Sequence, residues 1–188
     1  SASQTRVTMG SARGEIYDAT GKPLVQNTVK QVVSFTRSNK MTAADLKDIS
    51  KKLLTYVTVT FPELTDRQMA DYYLADAEAY KKTVEALPKD KRFDSDGNQL
   101  SEAQLYNNAA ESITSDQLNY SEDEKKVIYL FNQLNAVGNF ATGNIQTDPL
   151  SDTQVAVIAS ASKELPGISI STSWDRKILE TSLSSIVG

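Results

Sequence analysis

Five times between residues 42 and 154 a hydroxyl side chain is followed, three positions later, by an acid or an amide. The pairs are Thr42 with Asp45, Thr65 with Gln68, Ser101 with Gln104, Ser121 with Glu124, and Ser151 with Gln154. In each, the hydroxyl can accept a bond from a free amide of a helical first turn while the later residue reaches back to the cap. Apolar residues recur behind these boxes at helical spacing: Leu46, Ile49, Leu53 and Val57; Tyr80, Val84 and Leu87; Leu105, Ala109 and Ile113; Val127, Leu130, Phe131 and Leu134; Val155, Ile158, Ala159 and Ser162. Pro62, Pro88 and Gly138 stand where such helices should stop. The middle of the chain is therefore read as a run of short, individually capped helices.

The flanks read differently. Glu15-Ile16-Tyr17 leads into the turn Asp18-Ala19-Thr20-Gly21, followed by the apolar Pro23-Leu24-Val25 and by Val29 to Phe35, which is rich in β-branched residues. These segments predict a small antiparallel unit. Past the last helix, Leu165-Pro166-Gly167 precedes Ile168-Ser169-Ile170-Ser171-Thr172, whose apolar and polar residues alternate as in a half-buried strand. Trp174 follows it and is expected in the core. The fold class is α+β: helix-rich and elongated, with a small antiparallel sheet made by the N-terminal strands and a returning strand near 168–174. Opening strands occupy 1–40, a helical head insertion 41–150, and a last helix with the returning strand 151–188.

Chemistry is sparsely signalled. The chain has no cysteine and no histidine, so disulfides, zinc–thiolate sites and imidazole bases are excluded. Its 24 acidic and 20 basic residues are interspersed, with no basic block and no interleaved aromatics, which gives no reason to expect a nucleic-acid partner. The longest aliphatic stretch, Val155 to Ala159, is too short to span a bilayer. The polar opening Ser1-Ala2-Ser3-Gln4-Thr5 is no signal peptide, and the apolar last residues suggest a fragment.

Ser160-Ala161-Ser162-Lys163 matches S-x-x-K, the nucleophile motif of penicillin-interacting serine enzymes. That motif needs its serine near a helix start, whereas Ser160 lies nine residues past the cap at Ser151, and no K-T-G or K-S-G triplet follows. Asp94-Ser95-Asp96-Gly97-Asn98 puts its glycine too early for a calcium loop and reads as a turn on Asp96-Gly97. Asp66, Asp71 and Asp76 are spaced so as to spread around a helix and are read as solvated surface. No catalytic, cofactor or metal residue is assigned. A serine enzyme acting through Ser160 and Lys163, or an unrelated helical adaptor, are the competing readings.

Two blocks carry a resemblance. Arg13-Gly14-Glu15-Ile16-Tyr17-Asp18, with Gly21 and Leu24, resembles the R-G-x-I-x-D-x-x-G-x-x-L signature opening the extracytoplasmic part of class B penicillin-binding proteins. Gln154 to Ala159, then Leu165-Pro166-Gly167-Ile168, is similar to that family's helix ending in Leu-Pro-Gly-Val and its returning strand. Arg176 occupies the place of that strand's arginine, and Leu183 to Gly188 is similar to a small helix ending in Ile/Val-Gly. Lys177-Ile178-Leu179 departs from the aromatic–proline pair usual after the arginine.

The resemblance implies one membrane helix before Ser1 and a D,D-transpeptidase domain after Gly188, with its serine nucleophile there. That domain would cross-link peptidoglycan stem peptides and be acylated by β-lactams. The chain itself would be a non-catalytic pedestal on the extracytoplasmic face of the bacterial membrane. Its implied partners are its own transpeptidase domain, a glycan polymerase and cell-wall scaffold proteins. Arg13, Gly14, Asp18 and Arg176 are the expected polar cluster joining the opening strands to the returning one, since a guanidinium beside a glycine can approach backbone and carboxylate closely.

Overall fold

All five boxes close in the computed structural model, which describes residues 24–179. Each hydroxyl accepts from the third amide of its helix, and each partner side chain accepts from the cap's own N–H. They open α1 (Ala43–Leu54), α2 (Asp66–Tyr73), α4 (Glu102–Ser112), α5 (Glu122–Ala136) and α6 (Asp152–Ser160). Between α2 and α4 lie α3 (Ala77–Glu85) and a single 3-10 turn, Lys89–Lys91. Three acids, Glu122, Asp123 and Glu124, fill the first turn of α5, and Lys51 and Lys52 close α1, each sign matching the partial charge of its helix end.

Three strands complete the described residues: β1 (Leu24–Thr36), β2 (Thr142–Ile145) and β3 (Ile168–Leu179). They form an antiparallel sheet in the order β2-β1-β3. The register of β1 and β2 pairs Val33 with Ile145 and Thr36 with Thr142. The mixed α+β class and the small sheet with its returning strand agree with the sequence reading.

Two details of that reading are corrected. Pro23-Leu24-Val25 and Val29 to Phe35 are not separate strands: from Leu24 onward they run as one 13-residue strand, because no glycine or proline interrupts Gln26-Asn27-Thr28. The second described neighbour of β1 is β2, Thr-Gly-Asn-Ile inside the helical stretch. Only Thr142 and Ile145 of its four residues favour strands, and its pairing with β1 overrides the local preference of Gly143 and Asn144. The expected strand at Glu15-Ile16-Tyr17 and the small helix at Leu183 to Gly188 lie outside the described residues.

By contacts the chain divides into two units, residues 32–170 and the flanking 1–31 with 171–188. The first holds the core. In it α1 lies along α5, α2 packs on α5 and α4, and α3 packs on α4. Leu46 and Leu53 of α1 and Ile128, Leu130, Phe131 and Leu134 of α5 are fully buried, as are Val33 and Phe35 of β1. Each such side chain contributes about 1.5–3 kcal/mol by leaving water. Phe131 meets Tyr72 edge-on at 5.5 Å between centroids, and Tyr72 meets Tyr120 in the same way at 5.6 Å. Burial pushes the Tyr120 hydroxyl up to about 12.

In the flanking unit Trp174 is 62% exposed, against its expected place in the core. The alternation that buries Ile168 and half-buries Ile170 gives way to the exposed Thr172 on the same face, and Trp174 follows it. An alternating pattern says which face a residue takes, not whether another layer covers it.

Candidate functional site

Ser160 is the last residue of α6, and its Oγ donates back to the carbonyls of Ala156 and Val157 at 2.9 and 3.1 Å. A serine nucleophile needs its hydroxyl aimed at a base and at substrate, near donors that can hold an oxyanion. Here the hydroxyl serves the carbonyl end of a helix, where partial charge is negative. Lys163 lies exposed in the turn beyond it. This geometry does not assemble the serine–lysine chemistry that the spacing suggests.

The Asp94 segment is the expected turn. Asp94 Oδ1 accepts from the amides of Asp96 and Asn98, Gly97 takes φ +83°, and Phe93 bridges Gln99 across the loop. The carboxylate is consumed by its own turn, as an aspartate in such a loop commonly is.

The reading of Asp66, Asp71 and Asp76 as solvated surface holds for the exposed Asp66 and Asp76 and fails for Asp71, and Asp76 has a structural role besides. α2 stops at Tyr73, and Asp76 caps α3 by accepting from the amides of Glu78 and Ala79. The bonds from Ala79 and Glu78 hold its carboxyl below the usual aspartate range. Asp71 accepts the Tyr106 hydroxyl at 2.7 Å and the Arg67 Nε at 3.2 Å, tying α2 to α4, and Arg67 also donates to Asn107. Burial, then the bond to Asp71, pushes the Tyr106 hydroxyl far above its ordinary value. A helix assumed to run on through residue 76 hides both roles.

Of the expected polar cluster, Arg13, Gly14 and Asp18 lie outside the described residues. Arg176 falls in β3, and its side chain likewise lies outside them. What the sheet does bring together is the end of β1 and the start of β3. The Thr36 N–H donates to the Gly167 carbonyl at 2.9 Å, and the Thr36 and Thr142 hydroxyls bond at 2.8 Å.

Arg37, the next residue, was not singled out by sequence. Its Nη1 donates to the carbonyls of Asn135 and Val137, closing the C-terminal end of α5 against the end of β1. Its backbone N–H donates to Ala141, and its carbonyl accepts from Phe140. The junction also holds Gly167 of the Leu-Pro-Gly run, at φ +81°. A Cβ on Gly167 would run into the Thr36 carbonyl oxygen and come within 2.9 Å of the Phe35 ring. The run is thus fixed by packing: leucine buried, proline stopping the turn, glycine admitting the neighbouring strand.

The six helices thus lie in the chain between β1 and β3, and the serine of S-x-x-K is absorbed in helix termination. The chain belongs to the penicillin-binding protein dimerisation domain family, which matches residues 8–188. It is 77% identical over 188 residues to penicillin-binding protein 2B of Streptococcus pneumoniae, covering 100% of this chain and 28% of that protein. It is 25% identical to penicillin-binding protein 2A of Bacillus subtilis, covering 98% of this chain and 26% of that one. A solved structure of penicillin-binding protein 2B from Streptococcus pneumoniae strain 5204 matches with a TM-score of 0.75 and 73% identity, over 96% of this chain and 27% of the other. The chain therefore spans about a quarter of the length of the relatives it matches.

Proposed function

We propose that this domain is the pedestal of a bitopic D,D-transpeptidase of peptidoglycan synthesis. It holds the catalytic domain off the extracytoplasmic face of the bacterial membrane and offers docking surfaces to a glycan polymerase and to scaffold proteins of the cell wall. Among the described residues no helix is long and apolar enough to cross a membrane, so the anchor in this proposal is a separate segment of a longer protein. Arg13, Gly14, Asp18 and Arg176 are proposed to tie the opening segment to the returning strand.

The observation that carries the reading is the pairing of β1 with β3. The helical head is inserted between two adjacent strands, so the chain enters and leaves it along one sheet. Such an insertion positions what lies on either side of it while contributing surface rather than chemistry. Penicillin-binding protein names on relatives about four times as long support placing the acylated serine elsewhere in the whole protein.

Incubation with a fluorescent penicillin tests this. The full-length protein is expected to take up covalent label at a serine outside these residues, and the 188-residue chain none. A labelled Ser160 in the isolated chain would replace the pedestal reading with the serine-enzyme one.

A further inference from the structure

Val29 and Trp174 are 52% and 62% exposed, and the sheet sets them on one rung. The Thr36 N–H donates to the Gly167 carbonyl, which places those two residues opposite each other across the antiparallel pair. Counted away from them, β1 and β3 end together with Leu24 opposite Leu179, and Val29 falls opposite Trp174. Both lie on the face that carries the buried Val33, Phe35 and Ile168, because side chains alternate along a strand. Between the two apolar sets stands the exposed polar rung of Gln31 and Thr172. The Val29–Trp174 rung is therefore no frayed margin of the core. It is a second apolar surface, and it calls for a cover of its own.

Charge says what that cover is. The flanking unit, 1–31 with 171–188, has six basic residues and four acidic, whereas 32–170 has fourteen basic and twenty acidic. An excess of cations thus travels with the exposed tryptophan. Near the rung the imbalance is sharper: Gln26 to Gln31 and Thr172 to Lys177 contain Lys30, Arg176 and Lys177 against Asp175 alone. An exposed tryptophan and an aliphatic side chain among cations suit the interface of an anionic bilayer. The indole seats at headgroup level with its N–H in the wet layer, and the cations gain from the negative surface potential. A protein partner needs a wide complementary area, and one rung of two side chains is far below it. A fluid surface asks only for a few apolar groups and a favourable charge. Phe140 and Val157, the other large exposed apolar residues, belong to the acidic unit.

We propose that the Val29–Trp174 rung rests on the surface of an anionic lipid bilayer, from which the acidic unit is repelled. The proposal deepens the pedestal reading and rests on it: a weak surface contact suffices in a protein held at the membrane by another segment, because the tether supplies the local concentration. Trp174 is the chain's only tryptophan, so its own fluorescence reports the contact. With vesicles of phosphatidylglycerol and phosphatidylcholine in equal parts, the emission of the 188-residue chain should shift to the blue and be quenched by bromine on the acyl chains. Pure phosphatidylcholine should produce neither effect, and added salt should reverse the shift. Val29→Asp should weaken binding at least about tenfold, by removing apolar area and adding an anion. Val157→Asp, in the acidic unit, should bind as the parent does.

Emission unmoved by the anionic vesicles, equal binding to neutral ones, or a Val29→Asp chain that binds like the parent would each overturn the proposal. The full-length protein supplies a second arm. In neutral detergent, Val29→Cys should react with a water-soluble maleimide about as fast as Lys89→Cys on the exposed 3-10 turn, as read at each site by mass spectrometry. Protection at position 29 would mean that the rest of the protein, and not lipid, covers the rung, and would overturn the proposal as well. Penicillin labelling is read separately, so failure of the lipid contact leaves the pedestal reading standing.

Discussion

Gly167→Ala is expected to cost roughly 2–5 kcal/mol, the sum of a left-handed backbone penalty and the insertion of a methyl group into a filled space. The obstacle is partly backbone, the Thr36 carbonyl, which cannot swing aside as a side chain could. It is partly the Phe35 ring, and Phe35→Leu in the same chain should recover a fraction of the loss by retracting the ring carbons. Urea denaturation of the four chains of this double-mutant cycle measures both. A loss below about 1 kcal/mol for Gly167→Ala would mean that the junction of β1 and β3 is looser than described. The site matters because it lies where the chain leaves the head, so a substitution there attacks the frame and not the helices.

Phe131→Ala is expected to cost about 3–5 kcal/mol, a large share of the stability of a domain this size. Phe131 is fully buried on α5, the helix against which both α1 and α2 pack, and its ring faces Tyr72 edge-on. Truncation leaves a cavity that short, individually capped helices can only partly collapse into. Phe131→Leu keeps most of the volume and should cost no more than about 1.5 kcal/mol. Denaturation midpoints distinguish the two, and equal losses would argue that the ring interactions, not the volume, hold α5 in place.

The helical half of the fold was legible because its signals are local. A capping box declares itself within four residues, and stripes such as Leu46, Ile49 and Leu53 repeat the helical period. What the sequence did not show is what depends on distant partners. β2 is a strand because β1 offers it a ladder, and Asp71 matters because α4 delivers Tyr106 to it. Trp174 is exposed because no described layer covers it, which no alternation can announce. Asp76 was missed because a break of three residues between α2 and α3 carries neither proline nor glycine.

The candidate site was legible only as family text. Leu165-Pro166-Gly167 could be matched without knowing that the glycine makes room for a carbonyl of β1. Arg37 forms no motif, and the one local hint of its junction is Gly138, where α5 must end.

Native-state hydrogen exchange reports most directly on whether head and paired strands act as one support. The amides of Ser34, Phe35 and Thr36 in β1, and of Ile168 and Ile170 in β3, should exchange only through the same global opening that exposes Leu130 and Leu134 of α5. Strand amides that exchange through a low-energy local opening, while α5 stays protected, would show that the sheet is a loose tether and that the head positions nothing.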